Sequence, residues 1–199
     1  MKKEYSVLEE KKLFEGVVFD VVERDIEVRV PIGDGLDEVD HIKRQVVTYG
    51  DSVLIVPVTK DGKLMYLGEE YRTVVNGTQI GFPAGRIDPE DPTYVTAVHR
   101  ELREELGIHM AEGTQPIHLF SAYASLGYTL EQIHAYMVYV DPIDEATELN
   151  TEFDSDEYVE LRVLKTTDVE ELIRNGIINS MSAQLAFMKA VDVLANEDI

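Results

Sequence analysis

The stretch from Gly81 to Ile108, GFPAGRIDPEDPTYVTAVHRELREELGI, constrains the chain more than any other. It reads as a strand end, a Pro/Gly turn, an acidic loop and then a helix. On that helix Val95, Val98, Leu102 and Leu106 share one face and form the expected buried stripe. Glu101 and Glu105, at i and i+4, fall about 40° apart beside it. Two like charges so placed cost an isolated helix a few tenths of a kcal/mol, so they ask for something positive between them. A hard divalent cation would serve. Glu104 points further round the helix, toward a second ion or toward a pair with Arg100 four residues before it. On charge pattern alone, a solvated acidic face is the ordinary meaning of such a cluster.

The whole string goes further. Arg100-Glu101-Leu102-Arg103-Glu104-Glu105-Leu106-Gly107-Ile108 reproduces the second half of the Nudix box, G-x5-E-x7-R-E-U-x-E-E-x-G-U with U aliphatic. The chain therefore resembles a Nudix hydrolase. The resemblance implies an α/β/α sandwich with a mixed central sheet, and magnesium, with manganese as the alternative, held by Glu101, Glu104, Glu105 and the Ala84 carbonyl. Such hard oxygen donors suit magnesium. Glu104 and Glu105 are carried over as catalytic residues as well. The first half of the box departs from the pattern. Counting back from Arg100, the box Gly falls on Arg86 and the box Glu on Pro92. Gly85 sits one residue early, so the loop carries one extra residue. Either Glu90 or Asp91 takes the part of the acid, which in the family holds the loop against the helix.

Upstream, SVLIVPV and LMYLGEEYR flank an Asp61-Gly62 turn and read as a hairpin. Tyr71-Arg72 followed by Phe82-Pro83-Ala84-Gly85 is similar to the "QYR … ELPAG" segment of the ADP-ribose pyrophosphatase branch, in which the Arg contacts substrate. A planar guanidinium suits a phosphate or a stacked base. Arg72, Tyr71 and Arg86 are thus the substrate-binding candidates, joined by Tyr128 from the turn SLGYTLE, which resembles the branch's "SPGFSDE". The acidic stretch DPIDEATELNTEFDSDEYVE leads into a strand similar to the family's "E-F-V-E-V". There Glu157 matches the mobile general base, with Asp154 and Asp156 in reserve. A base on a loop is sensible where closure brings it to the reacting water only with substrate bound.

Net charge is −21, from 39 acids and 18 bases. A field of that sign repels nucleic-acid phosphates, and no basic cluster overrides it. No run of about 18 apolar residues suggests a membrane span. The N-terminal lysines lack the apolar run of a signal peptide. With no cysteine, a reducing, cytoplasmic setting is expected. Residues 1–50 are expected to form an N-terminal antiparallel β arm, with strands in LFEGVVFDVVERDIEVRV and KRQVVTY around a turn region, PIGDGLDEVDHI. Residues 51–199 are expected to form the hydrolase domain. By resemblance the arm makes a homodimer. The C-terminus reads as two helices. In the second, Met181, Leu185, Met188, Val191 and Leu194 are expected to face the core. The five histidines show no paired metal spacing and read as structural. The expected function is metal-dependent hydrolysis of a nucleoside diphosphate linked to another moiety, ADP-ribose first. The alternatives are another diphosphate or triphosphate substrate, and a silent nucleotide sensor on the same fold.

Overall fold

The computed structural model describes residues 2–33, 36–143 and 158–197. The chain separates into two compact units, Met1–Gly50 with Tyr123–Glu131, and Asp51–Ala122 with Gln132–Ile199.

The second unit is a three-layer α/β/α sandwich. Its strands are β4 (Ser52–Thr59), β5 (Leu64–Arg72), β6 (Gly77–Gly81), β7 (Ala84–Arg86), β8 (Ile117–Tyr123), β9 (Gln132–Val140) and β10 (Val159–Lys165). The path runs β10-β5-β4-β9-β8. β4 pairs with β9 in parallel, whereas β10, β6 and β7 pair antiparallel, so the sheet is mixed. SVLIVPVT is apolar without alternation because both faces of β4 are covered. Val53 and Ile55 join Val98, Leu102 and Leu106 of α1 (Tyr94–Leu106). Leu54, Val56 and Val58 join Ala186, Phe187 and Ala190 on the opposite face.

The expected hairpin forms, with Gly62 in the left-handed turn position at φ 69°. Its strands meet at Val58 and Met65. Beyond that point β6 pairs with the end of β5 and β7 with the start of β4. Pro83 lies between β6 and β7, and its carbonyl accepts the Ile55 N–H at 2.9 Å. Residues 82–86 are thereby built into the sheet and are not a free turn.

Helix α1 has local start and stop signals. Thr93 caps it, its hydroxyl accepting the Thr96 N–H at 3.2 Å, and Gly107 ends it in the left-handed conformation at φ 64°. Val98, Leu102 and Leu106 are buried as expected, while Val95 is only half-buried. α2 (Thr166–Arg174) and α3 (Met181–Glu197) cover the other face. The expected core face of α3 holds only in its C-terminal half, where Val191 and Leu194 pack against the core. Met181, Leu185 and Met188 are 79%, 37% and 62% exposed, and the helix packs through Ala183, Ala186, Phe187 and Ala190. After the first step of four, the proposed positions recur every three residues, so their directions rotate steadily around a 3.6-residue helix. The alanines and Phe187 keep one direction.

The first unit holds a three-stranded antiparallel sheet, β1 (Glu4–Glu15), β2 (Asp20–Gly33) and β3 (Leu36–Thr48). Strands occupy more of the arm than expected: β1 begins at Glu4, and most of PIGDGLDEVDHI is strand. Residues 123–131 belong to this unit. The Val47 N–H donates to the Tyr128 carbonyl at 2.7 Å, and the Leu130 N–H donates to Val47 at 3.1 Å.

Candidate active site

The carboxylates of α1 are organised by Arg100. Its Nη1 donates to Glu101 Oε1 at 2.7 Å and to Glu104 Oε2 at 2.9 Å. Nη2 donates to the Arg86 carbonyl at 2.9 Å and to Asp91 Oδ2 at 2.9 Å, and Nε reaches the same Asp91 oxygen at 3.3 Å. Asp88 lies 3.6 Å away. One guanidinium, with donors fixed in a plane, thus ties the loop to the helix. The expected Glu104–Arg100 pair is present.

Of the two candidate acids for the loop, the structure selects Asp91. Its side chain is 6% exposed and also accepts the Asp88 N–H at 3.1 Å. Burial pushes its carboxyl up, but the Arg100 and Asp88 hydrogen bonds outweigh this and hold it below the usual carboxylate range. Arg100 is itself partly desolvated, and its acidic neighbours hold it firmly in the charged form.

Glu101 and Glu105 are 7% and 6% exposed, which rules out the ordinary solvated acidic face for these two. Glu105 Oε2 accepts the Ala84 N–H at 3.1 Å, so Ala84 meets the carboxylates through its amide. Gly85 is required by space. A Cβ there would lie 2.0 Å from Glu101 Oε1. The displaced glycine therefore does make way for the first helix carboxylate.

Ala84, Glu101, Glu104, Glu105 and the Arg86 carbonyl form one group with Arg100. Tyr71 and Arg72 sit at the exposed end of β5, where the Tyr71 hydroxyl donates to Asn76 Oδ1 at 2.8 Å and Arg72 pairs with Glu70. Glu70 is shifted up by burial, with Arg72 opposing. Tyr128 is exposed and belongs to the first unit. Glu157, Asp154 and Asp156 lie outside the described residues. Sequence reasoning overlooked Asp88. Its signal was the run DPED after Gly85, which places acids on both sides of a turn.

Among the described residues, no three His, Asp or Glu side chains already converge into a cation cage. The donor set nevertheless fits a hard ion. Asp91, Glu101, Glu104 and Glu105 bring four carboxylates to a site where Arg100 and Arg103 are guanidiniums in contact, and the missing side chain of Gly85 lets the Glu101 carboxylate lie against the β7 backbone. No described helix is long and apolar enough to cross a membrane.

No curated protein has a matching sequence. A solved structure described as an ADP compounds hydrolase superposes with a TM-score of 0.70 at 19% identity, covering 98% of this chain and 96% of that one. At that identity the likeness concerns the fold. The family model for the NUDIX domain matches residues 48–183, more than half of the chain and all of the site just described. With that match and the carboxylate helix in its sandwich, the chain belongs to the Nudix hydrolase family.

Proposed function

We propose that this protein hydrolyses the pyrophosphate bond of a nucleoside diphosphate joined to a second moiety, with ADP-ribose as the first substrate and AMP and ribose 5-phosphate as products. The observation that carries the proposal is the burial of Glu101 and Glu105 on one helix face, with Arg100 holding Glu101 and Glu104 in place. Buried carboxylates are costly unless compensated, and oxygen donors in excess over local cations are what a divalent ion requires.

Glu101, Glu104, Glu105 and the Ala84 carbonyl would hold magnesium or manganese. When bound, the ion supplies charge neutralisation on the diphosphate and acidifies a water at neutral pH. The chain's own residues do the rest. Arg100 orients Glu101 and Glu104, Ala84 and Gly85 bring the β7 backbone against the helix, and Arg72, with Tyr71 and Arg86, receives the anionic substrate. Glu157 takes the proton of the attacking water.

A homodimer built through the arm belongs to the same proposal. Tyr5, Val7, Leu8 and Phe14 on β1, and Val18 in the bend after it, are each more than half exposed, an apolar surface of the kind that marks a partner site.

The test is incubation of ADP-ribose with and without magnesium while AMP is followed, with a triphosphate substrate as the comparison. We expect AMP in the presence of metal and none after chelation. Glu105→Gln should lower kcat by at least ~10²-fold, the loss expected for a charge-stabilising group. Unchanged turnover in that variant refutes the site. Release of inorganic pyrophosphate from the triphosphate with no AMP from ADP-ribose moves the protein to the alternative substrate class.

A further inference from the structure

The loop that carries Asp88 and Asp91 is fastened at its start to the Asp51 backbone and at its end to the His134 ring, two residues whose side chains face each other. At its start, the Ile87 N–H donates to the Asp51 carbonyl at 2.9 Å. At its end Tyr94, the first residue of α1, stacks its ring on the His134 imidazole, with centroids 4.1 Å apart and planes 20° apart. His134 is 5% exposed. Its Nδ1 shares a hydrogen bond with Ser121 Oγ at 2.8 Å, and that hydroxyl shares another with His118 Nε2 at 2.9 Å. Its Nε2 is buried without a hydrogen bond and faces Asp51 Oδ2 at 3.6 Å. Asp51 Oδ1 in turn accepts the Gln132 N–H at 3.1 Å. A buried nitrogen with an unmade hydrogen bond is costly, so an imidazole kept in such a place has a use beyond filling volume.

We propose that His134 is a positioning residue for the carboxylate site: held by Ser121 and Asp51, it anchors Tyr94 and so fixes the far end of the 87–93 loop whose near end Asp51 already holds. The loop then presents Asp91 to Arg100, and Arg100 presents Glu101 and Glu104. The chain of contacts is short and continuous: hydrogen bonds and a ring stack, with the 3.6 Å approach of His134 Nε2 to Asp51 beside them. Tyr94 is 43% exposed, so the ring is held at this spot by its contact with the imidazole and not by engulfment in the core. The catalytic consequence rests on the reading of the helix glutamates as working groups, whereas the clamp itself does not.

The experiment compares Tyr94→Ala, Tyr94→Phe, His134→Ala and the double alanine variant by steady-state kinetics on ADP-ribose and by amide hydrogen exchange. Tyr94→Ala is the main arm, because its exposed position spares the fold if His134→Ala does not. We expect exchange at Ile87, Asp88 and Asp91 to rise about tenfold or more in the alanine variants, a local opening of the loop. We expect kcat to fall on the order of tenfold with KM within about twofold, as befits misplaced carboxylates rather than lost substrate contacts. The double variant should lose no more than either single one, since both break the same contact. Tyr94→Phe, which keeps the ring, should recover most of the loss. Unchanged exchange in Tyr94→Ala, or additive losses in the double variant, overturns the proposal. Faster exchange with unchanged kcat overturns it too. In that case Glu105→Gln separates the causes: if it is also inert the site reading fails, and if it is disabling only the positioning role fails.

Discussion

Helices α1 and α3 invert the usual relation between polarity and burial. On α1, Glu101 and Glu105 are 7% and 6% exposed; on α3, Met181 and Met188 are 79% and 62% exposed. On α1 the burial follows from chemistry, because Arg100, the Ala84 amide and the space left by Gly85 make a place for charged oxygens. On α3 it follows from fit. Alanines let the helix lie close against β4 and β9, and the larger side chains are left on the outer side. Apolar character by itself decided neither helix.

The comparison can be broken at its strongest point by Leu102→Ala, at a position 1% exposed between the two glutamates. It should cost about 2–5 kcal/mol in urea unfolding, because the sheet cannot collapse onto the missing volume. Gly85→Ala comes next and should separate activity from stability. The added methyl meets the flexible end of Glu101, which can swing aside at small cost to the fold, but it then leaves Arg100. We expect kcat to fall by about 10²-fold, the scale of an ångström-sized misplacement, with unfolding little changed. On the other helix, Ala186→Leu places extra volume where the residue is fully buried, and overpacking should cost about 1–3 kcal/mol. Met188→Gln should change stability by less than about 0.5 kcal/mol, as for an exposed side chain. A larger loss would mean that this face is covered and that the contrast with α1 is false.

The two helices also differ in how far they can be read from residues. α1 carries its instructions in its own sequence, from the Thr93 cap to the Gly107 stop, with charged letters at fixed intervals between them. The packing face of α3 was missed in its first half because alanines, small and unassertive, hold the contact direction while the methionines do not. β1 was missed for a different reason. Bulges between Val7 and Glu9 and between Lys12 and Phe14 shift the parity of the strand, so EYSVLEEKKLFE never alternates cleanly. β3 is exposed over most of its length, so only its end, within KRQVVTY, carried a strand signal.

Within the site, the order of letters identified the helix, its three glutamates, the Arg100–Glu104 pair and the extra loop residue. It left Glu90 and Asp91 as equals. They are neighbours with the same charge, and the choice depends on which one the closed loop turns toward Arg100.

From residues alone came what neighbours along the chain decide: the helix of Arg100 to Leu106, the spacing that puts Glu101 and Glu105 on one side, and the hairpin of β4 and β5. Folding decided what depends on volumes and directions brought together from afar. Examples are the 21-residue span closed by the Ala84–Glu105 hydrogen bond, Asp91 rather than Glu90 on the guanidinium, and alanines rather than methionines against the sheet. Local propensities act over one helical turn, whereas these choices follow from close packing and from the need to pair every buried charge.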